Sequence, residues 1–238
     1  NGAGKSTTMN ILTGYLSSPS GTAKVGGIDV LESPYEAKKL IGFLPEQPPL
    51  YIDMTVWEYL SFVYDLKGCT FNRRAHLLEI CDLVKITDVK NRLIKNLSKG
   101  YKQRVGIASA IVGNPQVLIF DEPAAGLDPR GRKELIAMIK EYRRLTGCTV
   151  IVVSHSMEEI AMLADRIIVI NNAKVAMNGS VDEVYSRGDE LRAMGLNVPE
   201  ITEIFAKLRL KGVDVPANVY TVKYGADILR RLAGRCGE

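Results

Sequence analysis

Val117-Leu118-Ile119-Phe120-Asp121-Glu122 decides the fold of this chain. Four consecutive apolar residues without polar alternation suit a strand buried on both faces, as in the middle of a parallel sheet. Asn114-Pro115 breaks the chain before the run, and two adjacent carboxylates close it. Open α/β sheets bind ligands at the C-terminal ends of their strands, so Asp121 and Glu122 stand where chemistry is expected.

The flanking sequence supports that sheet. Downstream, helical spacing over 130–145, a strand over 149–153, a helix over 157–164 and a strand over 166–170 continue a β-α-β alternation. Right-handed crossovers then make a doubly wound parallel sheet the simplest layout. Upstream, 5–15 reads as a helix ended by Leu16-Ser17-Ser18-Pro19-Ser20-Gly21, with short β segments near 22–25 and 41–44. Between 54 and 84 the spacing turns helical, with Val56, Leu60, Val63 and Leu66 on one stripe, and a further helix is predicted over 102–111. After a hairpin turn at Asn171-Asn172, helices are predicted over 180–190, 199–210 and 221–232. The expected organisation is one α/β domain over 1–187, with a helical insertion over about 52–114, and a small helical appendage over 188–238.

Gly2-Ala3-Gly4-Lys5-Ser6-Thr7 opens the chain immediately before the first helix. Glycines there let successive amides face a phosphate, the lysine reaches the outer phosphates, and the helix N-terminus adds its free N–H groups and positive dipole end. This is the second half of a Walker A pattern, so the expected fold is that of P-loop NTPases (RecA-like). Ser6 is placed to ligate Mg²⁺ through its hydroxyl. Asp121 would hold the same metal through water, and Glu122 would orient or deprotonate the attacking water.

Four further strings narrow the class. Leu97-Ser98-Lys99-Gly100-Tyr101-Lys102-Gln103-Arg104 sits between the helical insertion and the two carboxylates. Ser98 and Gly100 offer a hydroxyl, bare backbone and a dipole end to a phosphate, although a serine simply capping a helix looks the same. Ala125-Gly126-Leu127-Asp128 follows the carboxylates, and Val152-Val153-Ser154-His155 ends a strand. Leu44-Pro45-Glu46-Gln47-Pro48-Pro49-Leu50-Tyr51 follows another. Together with the phosphate loop and the carboxylates, this ordered set resembles the ATP-binding cassette (ABC) ATPases.

That resemblance implies a signature motif at 97–101, departing from Leu-Ser-Gly-Gly-Gln at Lys99 and Tyr101, in which Ser98 and Gly100 meet the γ-phosphate of ATP held by the opposite subunit. It implies a D-loop at Ala125 to Asp128, with Asp128 at the nucleotide, a switch histidine at His155, and a Q-loop at which either Glu46 or Gln47 senses the metal. Lys5, Glu122 and His155 would be catalytic; Gly2, Ala3, Gly4, Lys5, Ser6 and Thr7 would cradle ATP. Further implications are Mg²⁺, a second ATPase subunit in a homo- or heterodimer, an integral membrane transporter subunit, and a peripheral position on the cytoplasmic face of the cell membrane. The family's preceding N-terminal strands, with an adenine-stacking aromatic, would lie upstream of Asn1 and are missing here.

Two subfamilies compete. Ile41-Gly42-Phe43-Leu44-Pro45-Glu46 and the 97–104 string resemble ATPases of ABC-2 type exporters. Ala125-Gly126-Leu127-Asp128-Pro129-Arg130-Gly131-Arg132, Ser154-His155-Ser156-Met157-Glu158-Glu159, Gly195-Leu196-Asn197-Val198-Pro199 and the 210–216 segment resemble energy-coupling factor importers of vitamins and metal ions. A soluble ABC-type ATPase is the rival outside transport. One cassette, and a short interval from Gln47 to Leu97, argue against translation factors with paired cassettes and against coiled-coil chromosome proteins. A P-loop kinase or GTPase leaves the 97–100 string and His155 without a role.

Composition is compatible with this reading. Basic and acidic residues, 31 against 27, are interspersed to a net +4, with no polybasic tract for nucleic acid. Cys69, Cys81, Cys148 and Cys236 are far apart and share no zinc-ligand spacing with His76 or His155. The longest apolar runs are strand-sized, too short to cross a bilayer.

Overall fold

A computed structural model describes residues 3–235. The chain divides into two compact units, one spanning Lys5–Val153, the other everything from Ser154 onward together with the residues up to Gly4.

In the first unit, α1 (Lys5–Leu12) is followed by a small antiparallel pair, β1 (Lys24–Val25) and β2 (Ile28–Asp29). Next come α2 (Pro34–Lys39), started by a proline at its N-terminus where no N–H is required, and β3 (Ile41–Leu44). The helical insertion resolves into α3 (Val56–Leu66) and α4 (Arg73–Leu83), followed by two short 3₁₀ turns, Thr87–Val89 and Ile94–Asn96. Two separate caps explain the division. Thr55 and Glu58 form a reciprocal capping box on α3, and the Asn72 side chain accepts from Ala75 N at 3.0 Å to start α4.

Helix α5 (Lys99–Ile111) starts three residues before the sequence pattern predicts, because Ser98 Oγ accepts from Tyr101 N and caps it. Then follow β4 (Val117–Asp121), α6 (Pro129–Thr146) and β5 (Thr149–Val153). Asp128 caps α6 through a 2.8 Å bond from Gly131 N, and Gly147 at φ 67° ends it in the left-handed conformation that glycine adopts without steric cost.

The sheet of this unit is parallel, in the order β3-β4-β5, with Leu44 opposite Phe120 and Phe120 opposite Val152. Leu118, Ile119 and Phe120 are each 1% exposed, so the unbroken apolar run marks the central strand. Met9 of α1 packs in one core cluster with Ile41 and Ile119, which seats α1 on the sheet. Gly42 of β3 permits α5 to approach: a methyl there would overlap the Ala110 carbonyl oxygen and lie 2.6 Å from Leu118 Cδ2.

The second unit holds α7 (Met157–Leu163), β6 (Arg166–Asn171), β7 (Lys174–Ser180), α8 (Val181–Tyr185), α9 (Gly188–Ala193), α10 (Glu200–Leu210) and α11 (Val222–Arg235). The expected parallel placement of the 166–170 strand does not hold: among the described residues β6 pairs only with β7, antiparallel. Asn172 and Ala173 adopt φ 49° and 57°, the left-handed pair of a two-residue hairpin turn, which folds the chain back on its own strand. Ile167, Val169, Met177, Tyr185, Leu191 and Val198 form one core across α8 and α9, while Ile201, Phe205, Val215 and Val219 form a separate small core. Among the described residues no helix is long and apolar enough to cross a membrane.

Candidate nucleotide site

Asp121 ends β4, and Glu122 follows it with φ 49°, a left-handed conformation uncommon in a residue with a side chain. Two backbone bonds hold it there: Glu122 N donates to Val153 O at 2.9 Å, and Glu122 O accepts from Ala125 N at 3.0 Å. The carboxylate is thus fixed to both the neighbouring strand and the loop that follows, and its Oε1 is closed off from solvent. Glu46 and Gln47 follow β3 after Pro45, both exposed. Either could reach a metal, and the backbone does not distinguish them.

Lys5, Ser6 and Thr7 form the first turn of α1, whose N–H groups have no partner within the helix. Lys5 is half-buried, and Ser6 and Thr7 are exposed. Gly4 takes φ 96°, and Ala3 O accepts from Ala173 N at 3.1 Å within the second unit. Gly2 lies outside the described residues. His155 is exposed and follows β5 after one residue. Its neighbour Ser154 is buried, donating to Glu159 Oε2 at 2.9 Å and accepting from Ser156 N at 3.0 Å, which anchors the segment carrying the histidine to the start of α7.

Helix α5 links the loops of the first unit. Gly106 lets it press on the segment that follows β3, since a methyl there would sit 2.9 Å from Pro48 Cβ. Buried Gln103 donates through Nε2 to Pro123 O at 2.8 Å, directly after the two carboxylates. Arg104 pairs with Glu134 of α6 at 2.6 Å, and Arg130 joins at 3.1 Å. The Arg104 guanidinium, then that of Arg130, holds the Glu134 carboxyl below the usual carboxylate range. The 97–104 motif as a string gives Gln103 and Arg104 no role of their own. A glutamine on the inward face of a helix otherwise lined by Val105, Ile107 and Ala108 was the available signal.

Ser98, Gly100 and Asp128 line one cavity of about 400 Å³, together with Gln103, Arg104 and Leu127. Lys5, Ser6, Asp121 and Glu122 do not line it. The departures from the signature pattern also have a place. The Tyr101 hydroxyl donates to Asp88 Oδ2 at 3.2 Å, while the Lys99 side chain lies over Gly126.

For Mg²⁺ the chemistry of the donor set fits. Among the described residues no group of three or more His, Cys, Asp or Glu gathers into a cage. Mg²⁺ characteristically takes one or two protein oxygens and completes its shell with water and substrate phosphates. A serine hydroxyl and one carboxylate, Ser6 and Asp121, meet that requirement.

A parallel α/β core, a glycine-lysine-serine helix start, paired carboxylates at a strand end and a capped signature helix define an ATP-hydrolysing cassette. Comparison with known proteins agrees. The ABC transporter family model matches residues 1–125. The energy-coupling factor transporter ATP-binding protein EcfA2 of Caldanaerobacter subterraneus subsp. tengcongensis is 35% identical over 240 residues, covering 98% of this chain and 84% of its own. Among solved structures, cbiO1 from Clostridium perfringens, part of the ABC transporter complex cbiONQ, superposes with a TM-score of 0.71 at 27% identity, covering 87% of this chain and 84% of that one. The ATP-binding cassette MJ0796, a dimer in a post-hydrolysis state bound to ADP and Pi, does so at 0.69 and 26%, covering 76% and 82%. The chain belongs to the ABC transporter family, as an ATP-binding subunit that hydrolyses ATP.

Proposed function

We propose that two such subunits, identical or paralogous, pair head to tail and enclose ATP between them. Lys5, Ser6, Thr7 and the Gly2-Ala3-Gly4 backbone of one subunit hold the phosphates, and Ser98, Gly100 and Asp128 of the other complete the pocket. The cavity shared by Ser98, Gly100 and Asp128 carries this reading, because none of the chain's own phosphate-loop or carboxylate residues lines it. Glu122 takes the proton of the attacking water, His155 donates to the γ-phosphate, and Lys5 offsets charge on the outer phosphates. Ser6, Asp121 and one of Glu46 or Gln47 hold Mg²⁺, which supplies charge neutralisation on the phosphate oxygens.

Closure of the pair drives a separate integral membrane subunit at the cytoplasmic face of the cell membrane. The catalytic part comprises 1–187, with 52–114 as its helical insertion, and 188–238 serves as an appendage at the pairing surface. Relatives named as energy-coupling factor ATP-binding proteins match along nearly the whole chain, tail included, which favours an importer of that type over an ABC-2 type exporter. The test is to purify the complete protein from membranes with its partner and measure the direction of ATP-driven transport. ATPase activity that falls on dilution below the dimer threshold supports the paired site. A specific rate independent of dilution refutes it.

A further inference from the structure

Two helices of this chain begin with the same reciprocal arrangement. At α3 the Thr55 side chain accepts from Glu58 N, and the Glu58 carboxylate reaches back to accept from Thr55 N at 2.8 Å. At α8 Ser180 and Glu183 do the same, with Ser180 N donating to the carboxylate at 2.7 Å. Both glutamates are exposed, so satisfying the N–H groups of a helix start does not require a buried acid.

Helix α7 carries the same pattern, Ser156 followed three residues later by Glu159, and half of the arrangement is kept: Ser156 Oγ accepts from Glu159 N at 3.3 Å. The return half differs. Ser156 N donates to Ser154 Oγ at 3.0 Å, and the Ser154 hydroxyl donates onward to Glu159 Oε2 at 2.9 Å. A hydroxyl thus stands between the cap and its glutamate, and the residue it spans is His155. Glu159 and Ser154 are each 8% exposed, whereas Glu158 beside them stays on the surface. Burying a carboxylate is costly unless it is hydrogen-bonded, and Glu58 and Glu183 cap their helices without that cost. What the buried arrangement adds is a hold on both neighbours of His155. Through its carboxylate Glu159 fixes Ser154, and through its backbone N–H it fixes Ser156.

We propose that Glu159 is a positioning residue for ATP hydrolysis: the relay from Ser156 through Ser154 to Glu159 sets the direction in which His155 projects. This rests on the reading of His155 as the donor to the γ-phosphate. His155 is exposed, and the backbone on either side of it carries the relay. The relay needs an acceptor at position 159 and not a charge, because the bond it receives comes from a neutral hydroxyl. Glutamine supplies one through its amide oxygen, and alanine does not.

The experiment uses the full-length protein with isotopically labelled histidine rings, and reads NMR and ATP turnover on the same samples. The His155 signal is identified by its loss in His155→Ala, and His76 of α4 serves as the internal reference. Glu159→Ala should displace the His155 signal, narrow it toward that of a freely turning ring and leave His76 unchanged. It should lower kcat about ten- to a hundredfold, the scale of a misplaced catalytic group, with KM for ATP within about twofold. Ser154→Ala lets Glu159 accept from Ser156 N directly, as at α3 and α8, so it should keep the helix start and still release His155. Glu159→Gln should keep both the signal and kcat near wild type. A Glu159→Ala protein that matches the wild type in signal and kcat, a Ser154→Ala protein that does so, or a Glu159→Gln protein as impaired as Glu159→Ala overturns the proposal. Wild-type turnover by His155→Ala would refute the catalytic reading of His155 and the part of Glu159 in hydrolysis with it, while the NMR comparison would still decide whether Glu159 orients the ring.

Discussion

Gln103 Nε2 donates to the Pro123 carbonyl oxygen at 2.8 Å, tying the signature helix to the residue that follows the two carboxylates. The donor sits in a buried side chain, so the bond is shielded from competing water. Gln103→Leu should leave the Pro123 carbonyl without its partner and destabilise the fold by about 1–3 kcal/mol, measured by urea unfolding. ATP turnover should fall more than ATP affinity, because the loop that carries Glu122 loses its brace.

Glu122→Gln should retain ATP binding, since the amide fills the same space, and reduce turnover by about a hundredfold or more, the usual contribution of a general base. Filter binding of ATP beside steady-state phosphate release checks both halves. Near-normal turnover would exclude Glu122 as the base.

Gly42→Ala should be severe despite adding a single methyl. The new Cβ would overlap the Ala110 carbonyl oxygen, a backbone atom of α5 that cannot rotate aside. Overpacking of this kind costs about 1–3 kcal/mol, occasionally more, and the thermal midpoint should fall accordingly. Gly27→Ala is not an equivalent control, because Gly27 has φ 83°; Ser17→Ala, at an exposed irregular position, is.

Lys67 gives the stability a pH dependence on the alkaline side. Its Nζ donates to Ala110 O at 3.1 Å and Val112 O at 2.7 Å, at the end of α5, and burial lowers its pKa from 10.5 to about 8. Below pH 8 the lysine is charged in both folded and unfolded chains. Between the two values the unfolded chain holds a proton the native one lacks, so raising the pH favours the fold, by at most about 3 kcal/mol over the full window. Unfolding free energies of wild type and Lys67→Met, taken at several pH values across that window, should therefore diverge in favour of the wild type as pH rises.

His76 acts on the acid side. Burial depresses its pKa, and Gly113 N needs its neutral Nε2 as acceptor. As pH falls through the ordinary histidine range the unfolded chain takes up a proton first, so native stability drops, and His76→Gln should flatten that drop in an acid unfolding series.

The sequence by itself determined the central strand, the two carboxylates at its end, the start of α1 at Lys5, the limits of β3 and β5, and the membership of the chain in its family. These are local properties: an apolar run, a glycine-rich turn and a capping serine each carry their own conformational preference within a few residues. Only the tertiary structure decided which residues hold the loops together. Gln103 with Pro123, Gly106 with Pro48 and Gly42 with Ala110 join positions distant in sequence, and no periodicity marks their partners. It also moved the 166–170 strand out of the parallel sheet into a hairpin, since a strand of the same composition pairs either way and the left-handed Asn172-Ala173 turn selects its neighbour. Glu122 shows both levels at once. Its place after an apolar strand was legible as a motif, whereas its left-handed backbone, held by Val153 and Ala125, arises from contacts made only when the strands assemble.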